Sequence, residues 1–237
     1  MRKVMIALAL VGASGPVTAQ GVSTKTTTVD YEFGYSYPAA AARIPGMKSW
    51  LEAEKARIRS KTARDGAAGR REAAKSGYPY RRYSYEKTWK LVTDTPRFLS
   101  LSGESYDYTG GAHGQPASST VLWDKKAGRA LASKAIFASL PALQAAIRTD
   151  YCGKLKIEQR RRNAGDVSSM NICPPVKDLT VLLGSTNGRA IDRIGLIADP
   201  YVAGSYAEGF YEVTLPVTRA IVAAVKPEYR NSFAVRS

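Results

Sequence analysis

Between Thr26 and Tyr37 apolar and aromatic residues fall on every second position, with polar residues between them. That alternation places Val29, Tyr31, Phe33, Tyr35 and Tyr37 on one face of an extended strand. Pro38 and Pro45 bracket a short connection, after which Trp50, Leu51 and Ile58 recur at helical spacing from about Met47. From Ser60 to Lys75 the pattern turns into Ala, Arg, Lys and Gly, with Gly66 and Gly69 weakening any helix. That half reads either as a solvated helix or as a basic loop. Arg82–Thr93 alternates again: Tyr83, Tyr85, Trp89 and Leu91 share one parity, and Arg82, Ser84, Glu86, Thr88 and Lys90 the other. Asp94-Thr95-Pro96 signals a turn, and Arg97–Tyr108 the returning strand.

Ser118–Trp123 predicts a further strand, ended by the polar turn Asp124–Gly128, and Ala135-Ile136-Phe137 a short helical turn. Ser139 can cap a second helix on which Leu140, Leu143, Ile147, Tyr151 and Leu155 share a face. Arg160–Arg162 close it, where positive charge complements the helix dipole. Leu179–Leu183 and Ala190–Ile197 predict two strands around a turn at Ser185–Gly188, Glu212–Leu215 a last strand, and Thr218–Val225 a last helix. Strand, helix, three strands, helix, three strands, helix is an α+β order, expected to form two small antiparallel sheet-plus-helix halves.

Composition adds a compartment. Residues 1–19 read as a signal peptide: Arg2 and Lys3 are a positive start, Val4–Val11 an apolar run too short to span a bilayer, and Val17-Thr18-Ala19 a cleavage site. The expected product, cut near Ala19, is periplasmic or secreted, with no transmembrane segment. The chain carries 35 basic and 20 acidic residues, so cleavage leaves a net charge of about +13. Such a balance favours anionic partners. Outside the cytoplasm these are wall polymers, lipopolysaccharide or a membrane surface, not nucleic acid; the charge is also compatible with solubility alone. The two cysteines, Cys152 and Cys173, are expected to form a disulfide in an oxidising compartment. A reactive or metal-binding pair is the alternative, but the long spacing and the single histidine weigh against zinc. No metal or cofactor is expected.

The candidate chemistry concentrates in Tyr108-Thr109-Gly110-Gly111-Ala112-His113-Gly114, which holds the only histidine. Glycines there allow tight turning and close approach by another surface. His113 is the one candidate general base. Its alternatives are a structural role, with a ring nitrogen donating to a backbone carbonyl, and ligand contact. Serines and carboxylates are plentiful nearby, but no G-x-S-x-G nucleophile elbow occurs. Glu104 and Asp107 have opposite strand parity and are expected to face opposite ways, unlike a glycosidase pair. Tyr78–Tyr85 mixes aromatics with Arg81 and Arg82, and its parity points first to a core face. Pro200, Tyr201 and Tyr206 lie in a Gly-containing loop between two strands, as contact residues or as loop packing.

Three stretches together resemble a PdaC-type N-terminal domain followed by an RsiV-type C-terminal domain. They are the Tyr108–Gly114 loop, the segment Leu122–Leu131 with Ile136-Phe137, and Ile197–Gly209 with Val213-Thr214-Leu215-Pro216. The resemblance implies a PdaC-type domain over residues 20–117, an RsiV-type domain over 118–237, and an extracytoplasmic α+β module. Relatives of this kind sit in lysozyme-binding anti-sigma factors, ahead of peptidoglycan deacetylase domains, or alone as lipoproteins. This chain is expected to lack the membrane helix, the deacetylase domain with its metal ligands, and the lipoprotein cysteine of those settings.

The reading that follows is an exported, non-catalytic envelope-binding module whose ligand is a cell-wall glycan or an anionic envelope polymer. Its contact residues would be Tyr108, Gly110, Gly111, His113, Gly114, Pro200, Tyr201 and Tyr206. One rival is a lysozyme-binding or lysozyme-inhibiting protein, which needs a locally acidic face around Glu104, Asp107 and Asp199 to meet a basic partner. The other is a hydrolase using His113.

Overall fold

The computed structural model describes residues 21–163, 170 and 172–236; the expected signal peptide lies outside them. Strands β1 (Val22–Thr27) and β2 (Tyr31–Tyr37) form a hairpin, followed by a short helix α1 (Ala39–Ala42) and a long one, α2 (Pro45–Ser76). Next come β3 (Tyr83–Asp94), β4 (Phe98–Tyr108), β5 (Gln115–Asp124) and β6 (Arg129–Leu131), then helix α3 (Leu140–Arg162). Strands β7 (Thr180–Gly184), β8 (Arg193–Ala198) and β9 (Tyr211–Pro216) and a short helix α4 (Arg219–Ala224) complete the chain. The α+β order holds, in two sheets of six and three strands.

The six strands lie in chain order, and all neighbours are antiparallel except β2 and β3, which run parallel. The expectation of purely antiparallel halves is corrected here. A parallel pair needs a crossover, and α2 supplies it. One strand was expected over Thr26–Tyr37, but the chain turns at 28–30, where the Thr28 hydroxyl accepts from the Tyr31 amide at 3.0 Å. Val29 therefore sits exposed at the turn instead of on the core face. Leu91 is also exposed, at a register shift between Leu91 and Thr93, and Leu140, on the first turn of α3, is partly so.

α2 covers one face of the large sheet. Met47, Leu51 and Ile58 meet Tyr31, Phe33, Tyr35, Tyr37, Trp89, Leu99, Leu101, Val121 and Trp123 in a closed aromatic core. The helix continues unbroken through Gly66 and Gly69 because those residues face inward at points of close approach. A Cβ on Gly66 would lie 2.6 Å from the Asp30 carbonyl oxygen, and one on Gly69 2.6 Å from the Tyr83 hydroxyl. Arg70 pairs with Asp30, Tyr80 Oη donates to the Asp30 carbonyl at 2.5 Å, and Gly77 ends the helix at φ 73°. The basic stretch is a helix, held by its inner face.

α3 packs Leu143, Ile147, Tyr151 and Leu155 on β7–β9, and the Ser139 hydroxyl caps it by accepting from Ala142 N–H at 3.1 Å. This second core also takes in Phe98 and Leu122 from the back of the large sheet, and Ser118 Oγ meets Thr180 Oγ1 at 2.8 Å. Residues 118–131, placed by sequence in the second half, thus complete the first sheet and wall the second core. The Cys152–Cys173 disulfide is formed, with its Cα atoms 5.5 Å apart. No helix among the described residues is long and apolar enough to cross a membrane.

Candidate functional site

Asp199 sets the site. It follows β8 directly and its half-buried carboxylate accepts from the Ser118 amide at 3.1 and 3.2 Å and from the Ser118 hydroxyl. Burial pushes its carboxyl up and the Ser118 bonds pull it down. This clamp fixes the end of β8 to β5, so the loop at 200–210 folds back over the β4–β5 turn at 109–114.

The back of the 200–210 loop is held by the end of α3. Gln159 Nε2 donates to the Ala203 carbonyl at 2.9 Å, and Arg162 Nη1 to the carbonyls of Glu208 and Phe210 at 3.0 and 2.5 Å. Ser205 N–H donates to Glu208 Oε1 at 2.7 Å in a capping box, and Glu208 Oε2 also accepts from Tyr211 Oη and Asn163 Nδ2. A loop satisfied this fully at the rear presents its front residues in a fixed pose. Tyr201 is the only non-glycine residue with positive φ among those described, at 70°, and its side chain stands 53% exposed.

The two predicted loops meet. The His113 ring stacks on Tyr206, with centroids 4.0 Å apart, and Tyr206 Oη donates to the Gly114 carbonyl at 3.1 Å. That same carbonyl accepts from His113 Nδ1 at 2.9 Å, which assigns the proton to Nδ1. Tyr201 lies 5.8 Å from Tyr206, ring to ring. The hydroxyl of Tyr106, whose side chain is 40% exposed, accepts from the Gly114 N–H at 2.8 Å. Gly114 is buried against the Tyr106 ring, where a Cβ has no room. Tyr108 Oη and Arg81 Nη1 both donate to the Gly111 carbonyl, at 3.1 and 3.3 Å, and Gly110 has φ 88°. The outcome is a shelf of rings, with Tyr106 from the end of β4, His113 from the turn at 109–114, and Tyr201 and Tyr206 from the loop at 200–210. Pro200, partly buried, directly precedes Tyr201 in the turn that follows β8.

His113 has the backbone-fixing contact weighed for it from sequence. No carboxylate among the described residues bonds its ring, and the Ser118 hydroxyl is engaged by Asp199 and Thr180. Glu104 and Asp107 face opposite sides of the sheet as expected. Glu104 lines a cleft of about 180 Å³ between the two sheets, with Lys90 and Glu212, whereas Asp107 looks toward α2. Among the described residues no three His, Cys, Asp or Glu side chains gather as a metal site.

Sequence reasoning missed two features. Tyr106 joins the shelf, which its exposure at the strand end could not reveal. Lys87 lies on the apolar parity of β3 and is buried, donating to Glu54 Oε1 at 3.0 Å with its ammonium 4.1 Å from the Trp89 ring centroid. Glu54 Oε2 also accepts from Tyr35 Oη at 2.5 Å and Trp89 Nε1 at 3.1 Å. Burial pushes the Lys87 ammonium down and the Tyr35 phenol far up. A lysine at a core position of an alternating strand was the available signal.

Residues 24–115 match the family described as Deacetylase PdaC. The whole chain is similar in fold to a DUF3298 family protein from Pseudomonas aeruginosa PAO1, at 15% identity and a TM-score of 0.51, covering 92% of this chain and 96% of that one. A DUF3298 family member from Bacteroides fragilis NCTC 9343 aligns at 14% identity and a TM-score of 0.48, over 90% and 95% of the two chains. No curated protein matches the sequence. The PdaC-type part of the expected pairing is thus matched over residues 24–115, while none of these likenesses names an RsiV-type domain for residues 118–237.

Proposed function

We propose that this chain, PdaC-like over residues 24–115 and DUF3298-like in fold, is a non-catalytic module of the cell envelope that holds a glycan on its ring shelf. One observation carries the reading: three rings from two separate loops, with Tyr106 from the end of β4 beside them, are pre-arranged at the surface with their backbone supports already satisfied. Tyrosine is large, stiff and polar at one end, so it contacts ligands at small cost in conformational entropy. Sugar rings offer apolar C–H faces to such surfaces and hydroxyls to their polar edges. The cysteine pair, joined as a disulfide, agrees with an oxidising compartment and so with export.

The lysozyme-binding alternative draws less support from the placement of charge. It asks for one acidic face, but Glu104 faces the inter-sheet cleft near Lys90, Asp107 faces α2, and Asp199 is occupied by Ser118. A hydrolase would need a base beside a nucleophile, and no serine, threonine or carboxylate among the described residues bonds the His113 ring, which holds Gly114 and stacks on Tyr206.

Co-sedimentation of the mature protein with purified peptidoglycan tests the reading. Tyr201→Ala, which removes an exposed ring whose hydroxyl anchors nothing, is expected to weaken retention about tenfold with unchanged thermal stability, as for a central aromatic contact. Retention equal to wild type would sink the proposal.

A further inference from the structure

The sequence left residues 60–75 open between helix and loop; as a helix they acquire a geometry. Arg57, Lys61, Arg64, Arg71 and Lys75 lie at i, i+4, i+7, i+14 and i+18 of α2, within about 40° of one line because seven residues drift only ~20° around a helix. All five are exposed, and they span about 27 Å along the axis. Ala68 fills the one gap in the row, and the acidic residues nearest it on the helix, Glu54, Asp65 and Glu72, lie along one flank. Arg57, Arg71 and Lys75 make no hydrogen bond or ion pair among the described residues. Arg64 bonds only Ser60, and Lys61 pairs with Asp65 at the flank.

A row of this kind opposes helix stability. Like charges at i,i+3 and i,i+4, as at 57/61, 61/64 and 71/75, repel by a few tenths of a kcal/mol each. Solubility is served equally well by interspersed signs. Packing does not explain the row either, since the inner face of α2 is already occupied by Met47, Leu51, Ile58 and Ala73.

We propose that this row is a docking ridge for a linear polyanion carrying regularly spaced phosphates, separate from the ring shelf. Its form favours a chain over a membrane. Helices that lie in a lipid interface bury an apolar face, and the solvent side of α2 between these cations offers only small or polar residues such as Ser60, Ala68 and Ala74. The ridge is also one residue wide and ends beside Gly77, where Arg81 continues the positive charge toward the loop at 109–114.

The probe is long-chain inorganic polyphosphate, titrated into the full mature protein over a range of salt concentrations. Arg57→Gln/Arg64→Gln/Arg71→Gln is compared with Lys48→Gln/Lys126→Gln/Arg219→Gln, which removes the same charge from other exposed positions. The ridge variant is expected to lose at least about tenfold in affinity and to flatten the log–log salt slope by about 2, with the control near wild type. Equal losses in both variants, or no binding by wild type, would overturn the ridge. Binding confined to phosphatidylglycerol vesicles would replace it with a membrane site. Tyr201→Ala is expected to bind polyphosphate normally, so failure of the ridge and failure of the shelf are read separately.

Discussion

Tyr201 has a left-handed backbone, which costs an L-residue about 1 kcal/mol that glycine would not incur. The loop keeps the ring at that expense. Tyr201→Gly should therefore raise the unfolding midpoint while weakening peptidoglycan retention as much as Tyr201→Ala does; a drop in stability would show that the ring packs instead of projecting. Lys87 gives a second test at this scale. Lys87→Met leaves the Glu54 carboxylate buried without its cation and is expected to cost about 3 kcal/mol by urea unfolding, largely recovered in Lys87→Met/Glu54→Gln. Asp107 gives a pH test. Burial raises its carboxyl, so its ionised form weighs against the fold above its native pKa, and the penalty disappears as the folded state takes up the proton on acidification. Asp107→Asn should melt higher than wild type at pH 7, and the gap should close toward pH 4.

The helices separate what periodicity can reveal from what it cannot. The apolar face of α3 and its Ser139 cap were readable because both are local. The second half of α2 was not, because Gly66 and Gly69 lower helix propensity, and their compensation lies in Asp30 and Tyr83, distant in sequence. Opposite responses to one substitution follow. Gly153→Ala, on a part of α3 where a Cβ meets nothing within 4 Å, should stabilise by up to about 1 kcal/mol. Gly66→Ala should destabilise by more than about 1 kcal/mol despite the same gain in propensity, because its Cβ collides with backbone. Chemical denaturation of both variants decides the matter.

At the scale of the molecule, both contact loops were legible singly, from their glycines and aromatics, but their meeting was not. It depends on the Asp199–Ser118 clamp, which joins two sheets and leaves no trace in either strand's pattern. The same applies to the boundary near residue 117. The PdaC-like stretch ends at 115, and β5 beyond it carries Val121 and Trp123 into the first core and Leu122 into the second. A fragment ending at residue 117 should accordingly fail to give a cooperative transition, whereas the whole chain unfolds in one step by near- and far-ultraviolet circular dichroism alike.

The parallel pairing of β2 with β3 has a kinetic corollary. Ser36 and Thr88 are neighbours in space but 52 positions apart in the chain, so this seam cannot zip outward from a tight turn as the flanking hairpins can. A nascent polypeptide carries β2 with an unpaired edge until the whole of α2 and then β3 have emerged. That delayed closure is expected to set the slow phase of refolding, and the interval before it to be when aggregation competes most, both read by stopped-flow refolding at rising protein concentration.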